Sequence, residues 1–466
     1  MRRISILTLL VFLAGCGSKT PEQAASVGIP LAINSAVATN NVSADAAATA
    51  KPTATQTVAN PAVDQLIQKA KAAVVAGRPS VAIEALSQAI AVSPGDSKLF
   101  RLRADVYVLM GENANAQVDF NLAVSLDPQN AELLNVRGYF LMTRGLTDQA
   151  CADFDKAIQF DPKLTAAWNN RGLVGLSRQN YAAAEADFNK AVELDRKYAD
   201  GLNNRGFARM KQGKLDEALA DLKATTELKP DYTTAWNNCG LTYLQQENYP
   251  AAIEAFSKAV SLAPTDTRWL NHRRAAYLKM EKYEEANKDA QQIRWLTGLN
   301  QLTQQAFAKA ATPDVWIQRA NYLVEGSEFG AAVQDYSRAL AIAPGNINAL
   351  NGRAYAWLKT GEVRKSIADC DESIVSKPTP AAYSVRGDAW FALQNYDQAV
   401  QDFEAAQRFD ETVAAAYRHR ADEREKSGNA ELAKADTKKA EQITAALAGE
   451  LGTATDGQAP APFPEN

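Results

Sequence analysis

Histidine and cysteine are scarce here, with 2 and 4 copies in 466 residues, which removes most of the side chains that serve as general base, metal ligand or thiol nucleophile. His272 and His419 stand in different repeats with no cysteine or second histidine nearby, so no metal site is expected. A phosphate loop ending in Gly-Lys-Ser, a dinucleotide glycine fingerprint and a Gly-x-Ser-x-Gly elbow are all missing. Neither a cofactor nor catalysis is therefore expected. Charge of one sign is lacking too: 50 Lys and Arg against 54 Asp and Glu leave a net charge of −4, and no basic cluster could track a phosphate backbone. Nucleic acid is not an expected partner.

Long apolar runs are also absent, apart from one short stretch at the start. Met1, Arg2 and Arg3 form a positive head, Ile4 to Ala14 are largely apolar over 11 residues, and small residues lead to Cys16. That is the layout of a secretory signal, and it is too short for an ordinary membrane span. The segment Leu13-Ala14-Gly15-Cys16 resembles the bacterial lipobox. The resemblance implies cleavage of a signal peptide at residues 1–15 and acylation at Cys16, with several acyl chains giving stable membrane attachment. In lipoproteins an Asp after the cysteine marks retention in the inner membrane; Gly17 stands there, so the outer membrane, facing the periplasm or the cell surface, is the expected location. Residues 16–60 are rich in Ala, Thr, Ser and Asn and read as the lipidated cysteine plus a flexible tether. As a random coil it would span roughly 35–40 Å. Residues 448–466 read as a disordered tail.

What is present in quantity is a period. Pro94, Pro128, Pro162, Pro230 and Pro264 are spaced by 34 residues or twice that. Aligned on this beat, each unit tends to carry a large residue at its fourth position, a small one at the eighth and Ala at the twentieth. A large residue at the twenty-fourth, Ala at the twenty-seventh and Pro at the thirty-second complete it. Trp236, Gly240, Tyr243, Ala252, Phe256, Ala259 and Pro264 illustrate the pattern. Small residues at 8 and 20 let two antiparallel helices approach, large ones fill the spaces between neighbours, and the proline stops the second helix.

The pattern resembles the tetratricopeptide repeat family. The resemblance implies an all-α, right-handed superhelical solenoid of about eleven helix-turn-helix repeats. These begin near Val63, Ser97, Ala131, Thr165, Ala199, Thr233, Thr267, Pro313, Ile347, Pro380 and Ala414. Seven repeats are expected over 61–300 and four over 313–447. The insert 301–312 between them has the apolar spacing of an extended second helix.

Each repeat is a separate trial of one local geometry, so recurrence within the chain is itself informative. Nine units carry Arg at the seventh position and Asp at the twenty-third: Arg103 with Asp119, Arg137 with Asp153, Arg171 with Asp187, Arg205 with Asp221, Arg273 with Asp289, Arg319 with Asp335, Arg353 with Asp369, Arg386 with Asp402 and Arg420 with Asp436. The two units without the Arg, which have Lys69 and Cys239, also lack the Asp, having Ala85 and Ala255. This predicts an ion pair between the two helices of each unit.

Asparagines recur at the fifth position (Asn135, Asn169, Asn203, Asn237, Asn271 and Asn351) and at the sixth (Asn170, Asn204 and Asn238). In the resembled family the first helices line a concave face, where such amides grip the backbone of an extended peptide; these asparagines are accordingly the expected partner-binding ladder. The ninth position adds Tyr139, Leu173, Phe207, Leu241 and Tyr355, an apolar stripe either open to the groove or packed between helices. Both histidines are expected on the groove surface. Cys151, Cys239 and Cys370 lie in units too far apart to bridge and read as buried thiols. The functional expectation is a membrane-anchored scaffold whose groove binds segments of envelope proteins, with a self-associating structural envelope protein as the alternative.

Overall fold

The computed structural model describes residues 60–308 and 311–451. Among these are 22 α-helices and no strand. The helices come in consecutive pairs: α1 (Pro61–Val75) with α2 (Pro79–Val92), α3 (Ser97–Leu109) with α4 (Asn113–Leu126), α5 (Ala131–Thr143) with α6 (Thr147–Phe160), α7 (Thr165–Ser177) with α8 (Tyr181–Leu194), α9 (Ala199–Lys211) with α10 (Leu215–Leu228), and α11 (Thr233–Gln245) with α12 (Tyr249–Leu262). Then follow α13 (Thr267–Lys279) with α14 (Tyr283–Ala306), α15 (Pro313–Glu325) with α16 (Phe329–Ile342), α17 (Ile347–Lys359) with α18 (Val363–Ser376), α19 (Pro380–Ala392) with α20 (Tyr396–Ala405), and α21 (Glu411–Lys426) with α22 (Ala430–Leu451). The eleven repeats read from the sequence are eleven helical hairpins. Cys16, the signal peptide and the tether lie outside the described residues.

The turn of every hairpin contains one residue with positive φ, at the fifteenth position of the repeat. Six are glycines, such as Gly77 and Gly213, and five are Gln179, Glu247, Glu281, Ser327 and Gln394, with φ between 57° and 61°. That conformation ends the first helix and reverses the chain; it is free for glycine and mildly strained for other residues. Within a hairpin the eighth position receives the twenty-fourth. A Cβ on Gly172 would lie 2.6 Å from the Phe188 ring, and one on Gly240 would lie 2.5 Å from Phe256, so the large side chain rests directly on helix backbone. Phe154, Phe188, Phe256 and Phe403 are fully buried in this way, each contributing about 1.5–3 kcal/mol of transfer free energy. Repeat nine departs from the rule. Its α18 presents Ser366, Cys370 and Ser373 where α8, for example, presents Ala184, Phe188 and Ala191; all three in α18 are fully buried, and both hydroxyls lack a hydrogen-bond partner.

Two compact units divide between Asp289 and Ala290, inside α14 and earlier than the break expected at 300/301. The reason lies in the second half of that helix. Trp295 stacks on Tyr322 of α15 with ring centroids 6.3 Å apart, its Nε1 donates to the Tyr322 carbonyl at 3.0 Å, and the Tyr322 ring sits against Gly298. α14 is longer than the other second helices before it, 24 residues against 14 in α12, and ends at Ala306 within the expected insert. α22 likewise continues to Leu451, past the expected start of the tail at 448.

Within each compact unit the first helices of neighbouring repeats approach one another, as α5, α7, α9, α11 and α13 do in the first and α15, α17 and α19 in the second. No two second helices of neighbouring repeats appear among the closely packed pairs. First helices therefore line the inner side of each array's curve.

Candidate partner-binding groove

All nine predicted Arg–Asp pairs form. In eight, Nε and Nη2 of the arginine donate to the two oxygens of one carboxylate, at 2.7–3.0 Å and 2.6–2.9 Å. Arg319 uses Nη1 alone, at 2.7 Å, because its Nε donates to Thr303 in the extended part of α14 and Arg338 takes the second Asp335 oxygen. Eight of the carboxylates are buried and Asp187 is half-buried. The fork geometry explains why Arg rather than Lys recurs.

One part of this clasp was not read from the sequence. In seven repeats the remaining nitrogen, Nη1, donates backward to the second helix of the preceding repeat, at 2.6–3.2 Å from Ser87, Asn121, Asp155, Asn189, Ser257, Ser337 or Asp371. Each arginine thus joins its own hairpin and staples it to its neighbour. The signal was an acceptor at the twenty-fifth position before every such arginine. Repeat six shows the converse: Lys223 occupies that position in repeat five, and Cys239 replaces the arginine it would have repelled. Lys223 instead lies over the Tyr243 ring, 5.7 Å from its centroid. Burial pushes the Cys239 thiol up to about 12, with Lys223 offsetting part of the shift.

The asparagines are bonded mainly to one another. Asn238 Nδ2 donates to Asn203 Oδ1 at 3.0 Å, Asn203 to Asn204 at 3.2 Å, Asn204 to Asn169 at 3.0 Å, Asn169 to Asn170 at 3.5 Å, and Asn170 to Asn135 at 2.9 Å. The fifth position of one repeat meets the sixth of the next, giving a directional wire from α11 back to α5. A separate link joins His272 Nδ1 to Asn237 Oδ1 at 2.7 Å; the amide oxygen can only accept, so that ring nitrogen carries the proton. Asn169, Asn170, Asn203, Asn237 and Asn238 are buried, Asn135 and Asn204 are half-buried, and only Asn271 is exposed, its amide donating to the Thr267 carbonyl. In the second compact unit Asn351 donates to Thr379 at 3.3 Å.

This corrects the expected open ladder, since most of these amides close the interface between repeats. His272 is also not a surface residue: it is half-buried, and burial and then Arg268 lower its pKa. His419 is exposed and stacks on Tyr396 with centroids 4.9 Å apart. Of the thiols, Cys239 and Cys370 are buried and Cys151 is only half-buried; all three are free.

What the inner face does present is the ninth position and its surroundings. Tyr139 is 38% exposed, Leu173, Leu241 and Tyr355 are half-buried, and Phe207 is buried with Lys211 over its ring at 5.4 Å. In repeat two Asp105 takes this position; burial pushes its carboxyl up to about 6, and Arg101, 2.9 Å away, only partly offsets this. Near the start of α9 an Asp200 carboxylate lies among Tyr198, Tyr232 and Lys229. Among the described residues no group of His, Cys, Asp and Glu could hold a metal ion.

Tetratricopeptide repeat profiles match residues 67–131, 204–267 and 317–381, and also 131–164 and 165–198, together more than half of the chain. The chain is a tetratricopeptide repeat protein. It is 23% identical over 123 residues to the Hsp70-Hsp90 organizing protein 3 of Arabidopsis thaliana, a stretch covering 26% of this chain and 21% of that protein. The chain thus spans about a fifth of that relative's length. Among solved structures it is similar to YrrB, described as a TPR protein with an unusual peptide-binding site, at 25% identity over 41% of this chain and 99% of that one with a TM-score of 0.35. PilF of Pseudomonas aeruginosa is similar at 20% identity, over 45% of this chain and 96% of that one, with a TM-score of 0.41.

As a tetratricopeptide repeat protein it has two kinds of first-helix position. Those at five and six are consumed by contacts between repeats across much of the first compact unit, while the ninth, except at Phe207, stays partly exposed.

Proposed function

We propose that this protein is a lipid-anchored scaffold of the bacterial envelope that holds extended or helical segments of other envelope proteins against the inner face of its first helices. The carrying observation is the inner face itself, where apolar side chains such as Tyr139 and Leu241 stay partly open while most of the amides beneath them are already paired with one another. Such a surface gains by burying a partner's side chains and loses little by desolvating its own amides. Support for the anchor comes from the sequence: the positive head, the short apolar stretch and Cys16. No helix among the described residues is long and apolar enough to cross a membrane. Gly17 favours the outer membrane, facing the periplasm or the surface.

A photocrosslinking residue placed at Tyr139 or Leu241, compared with one at Lys190 on a second helix, tests the groove in cells. Crosslinks to envelope proteins from the first two positions and not the third support it; crosslinks mainly to further copies of the chain would replace recruitment with a structural role. Labelling with a clickable fatty acid tests the anchor, which requires that Cys16→Ser abolish incorporation.

A further inference from the structure

We infer that Asp200, between Tyr198 and Tyr232, is a subsite for a cationic side chain, Arg or Lys, of the segment bound in the groove; this rests on the groove reading above. Asp64, Glu132 and Asp314 are also acidic at the second position of their repeats, but none of them lies between two tyrosines that each precede a first helix. At the second position of a repeat the neighbours carry Ala166 and Thr234 instead of Asp200, and at the residue preceding a first helix Leu164 and Asp266 flank the tyrosine pair Tyr198 and Tyr232.

The Asp200 carboxylate is an incomplete ion pair. Its Oδ1 is enclosed with no hydrogen-bond partner, while the side chain as a whole keeps 28% exposure. An acidic residue in the first turn of a helix complements the helix dipole wherever it points, but that role does not call for an enclosed oxygen without a donor. A carboxylate partly stripped of water lacks the stabilisation that a cation would restore. The walls suit a cation as well. Tyr232 is buried and Tyr198 half-buried; burial and then the nearby Asp200 charge raise both hydroxyl pKa values, keeping the rings neutral. A hydrogen bond from the Tyr232 hydroxyl to the Asp200 carboxylate adds to the shift at Tyr232, and Tyr139 of α5 adds to that at Tyr198. This neutral donor leaves Oδ1 and the carboxylate charge unmatched. The faces of such rings attract ammonium and guanidinium groups.

The chain supplies a weak stand-in for that ligand. Lys229 Nζ lies 5.6 Å from the Tyr232 ring centroid and 3.7 Å from Asp200 Oδ1, beyond hydrogen-bonding range, and its side chain is 48% exposed. It occupies the right chemistry without completing it. An incoming Arg, with a planar fork, can bond the carboxylate and stack on a ring together, displacing Lys229 into solvent.

Selection of phage-displayed random dodecapeptides on the detergent-solubilised full chain tests this, with wild type, Asp200→Asn and Lys229→Ala in parallel. The expected result is enrichment of Arg or Lys at one peptide position on wild type, its loss on Asp200→Asn, and an affinity for the selected peptide that falls about tenfold or more in that variant. Lys229→Ala, which removes an exposed competitor, should bind the same peptide more tightly than wild type. Peptides selected without a basic preference, or a preference unchanged by Asp200→Asn, would overturn the subsite and leave the groove reading standing. Failure to select any peptide would overturn both. If Asp200→Asn does not fold, as judged by circular dichroism, Lys229→Ala decides alone, since unchanged or weaker binding there contradicts displacement.

Discussion

From α5 to α11 of the first compact unit, neighbouring first helices are joined by a continuous chain of amide hydrogen bonds, and His272 links α13 to α11. In the second, the equivalent fifth positions hold Ile317, Asn351, Ser384 and Arg418, and only Asn351 makes a comparable bond, to Thr379. The arginine clasp is present in both. The comparison separates two tasks that the repeat could have merged: the clasp closes a hairpin and fixes it to its predecessor, whereas the amide wire adds a further tie on the inner face, where it is present. Repeat nine widens the contrast, because its core carries two unpartnered hydroxyls and a thiol in place of a phenyl ring.

The largest disruption should come from the clasp. Asp221 accepts from both Arg205 and Arg209; Asp221→Ala leaves Arg205 with only a neutral acceptor, Asn189, and Arg209 with Glu185 alone, and should cost about 3–5 kcal/mol. Asp402→Ala in the second unit should cost a comparable amount, measured by urea unfolding followed at 222 nm; a much smaller loss in either would show the clasp dispensable there. Replacing Arg205, Arg209 and Asp221 together with apolar residues of similar size should cost less than Asp221→Ala alone.

The wire sharpens the comparison at the next scale. Asn203→Ala leaves the buried Asn238 amide without its acceptor and Asn204 with only its bond to Asn169, and should destabilise by about 1–3 kcal/mol, whereas Asn351→Ala, at a half-buried residue, should cost under about 1 kcal/mol. Equal losses would mean that the wire carries no special weight. Repair should work in the opposite direction in repeat nine: Ser373→Ala removes a buried hydroxyl with no partner and should stabilise by about 1 kcal/mol, read as a rise in the unfolding midpoint.

Two carboxylates in the first unit should respond to pH with opposite sign. Burial alone would raise Glu185, but donors from Lys214, Arg209 and Gln212 outweigh it and lower the group from 4.5 to about 2. Its contribution is therefore complete above about 4.5 and lost as the pH falls toward 2. Asp105, raised to about 6, favours the folded state when protonated, so its contribution fades as the pH rises from about 4 to 6. Carboxyl NMR titration of the two checks both signs, and Asp105→Asn should flatten the second component. The smallest effect should be at the turns, where Gln179→Gly relieves a positive φ of 58° and should stabilise by at most about 1 kcal/mol.

The hairpins and the nine ion pairs were legible because eleven copies of one unit repeat the same physical demand. Small residues facing large ones, and an arginine that never occurs without its aspartate, allow few other arrangements. The wire was not legible: an amide at position five can serve a ligand or the next repeat equally well, and the deciding contact lies 35 residues away. Position fifteen was hidden for a different reason. Its demand is on backbone conformation alone, and Gln, Glu and Ser meet it in five of the eleven turns. The boundary in α14 turned on Trp295 choosing Tyr322 as its partner, a contact outside the 34-residue beat.

The backward reach of the clasp means that the units cannot be shuffled like identical beads. Repeat five ends in a helix bearing Lys223, so a successor carrying the arginine would meet a like charge where its neighbours find an acceptor. Excising repeat six in full would leave Arg273, which now meets Ser257, abutting that lysine instead. A lineage that gained or lost copies by duplication would therefore have been free at most junctions and constrained at this one, where two neighbours had to be inherited together.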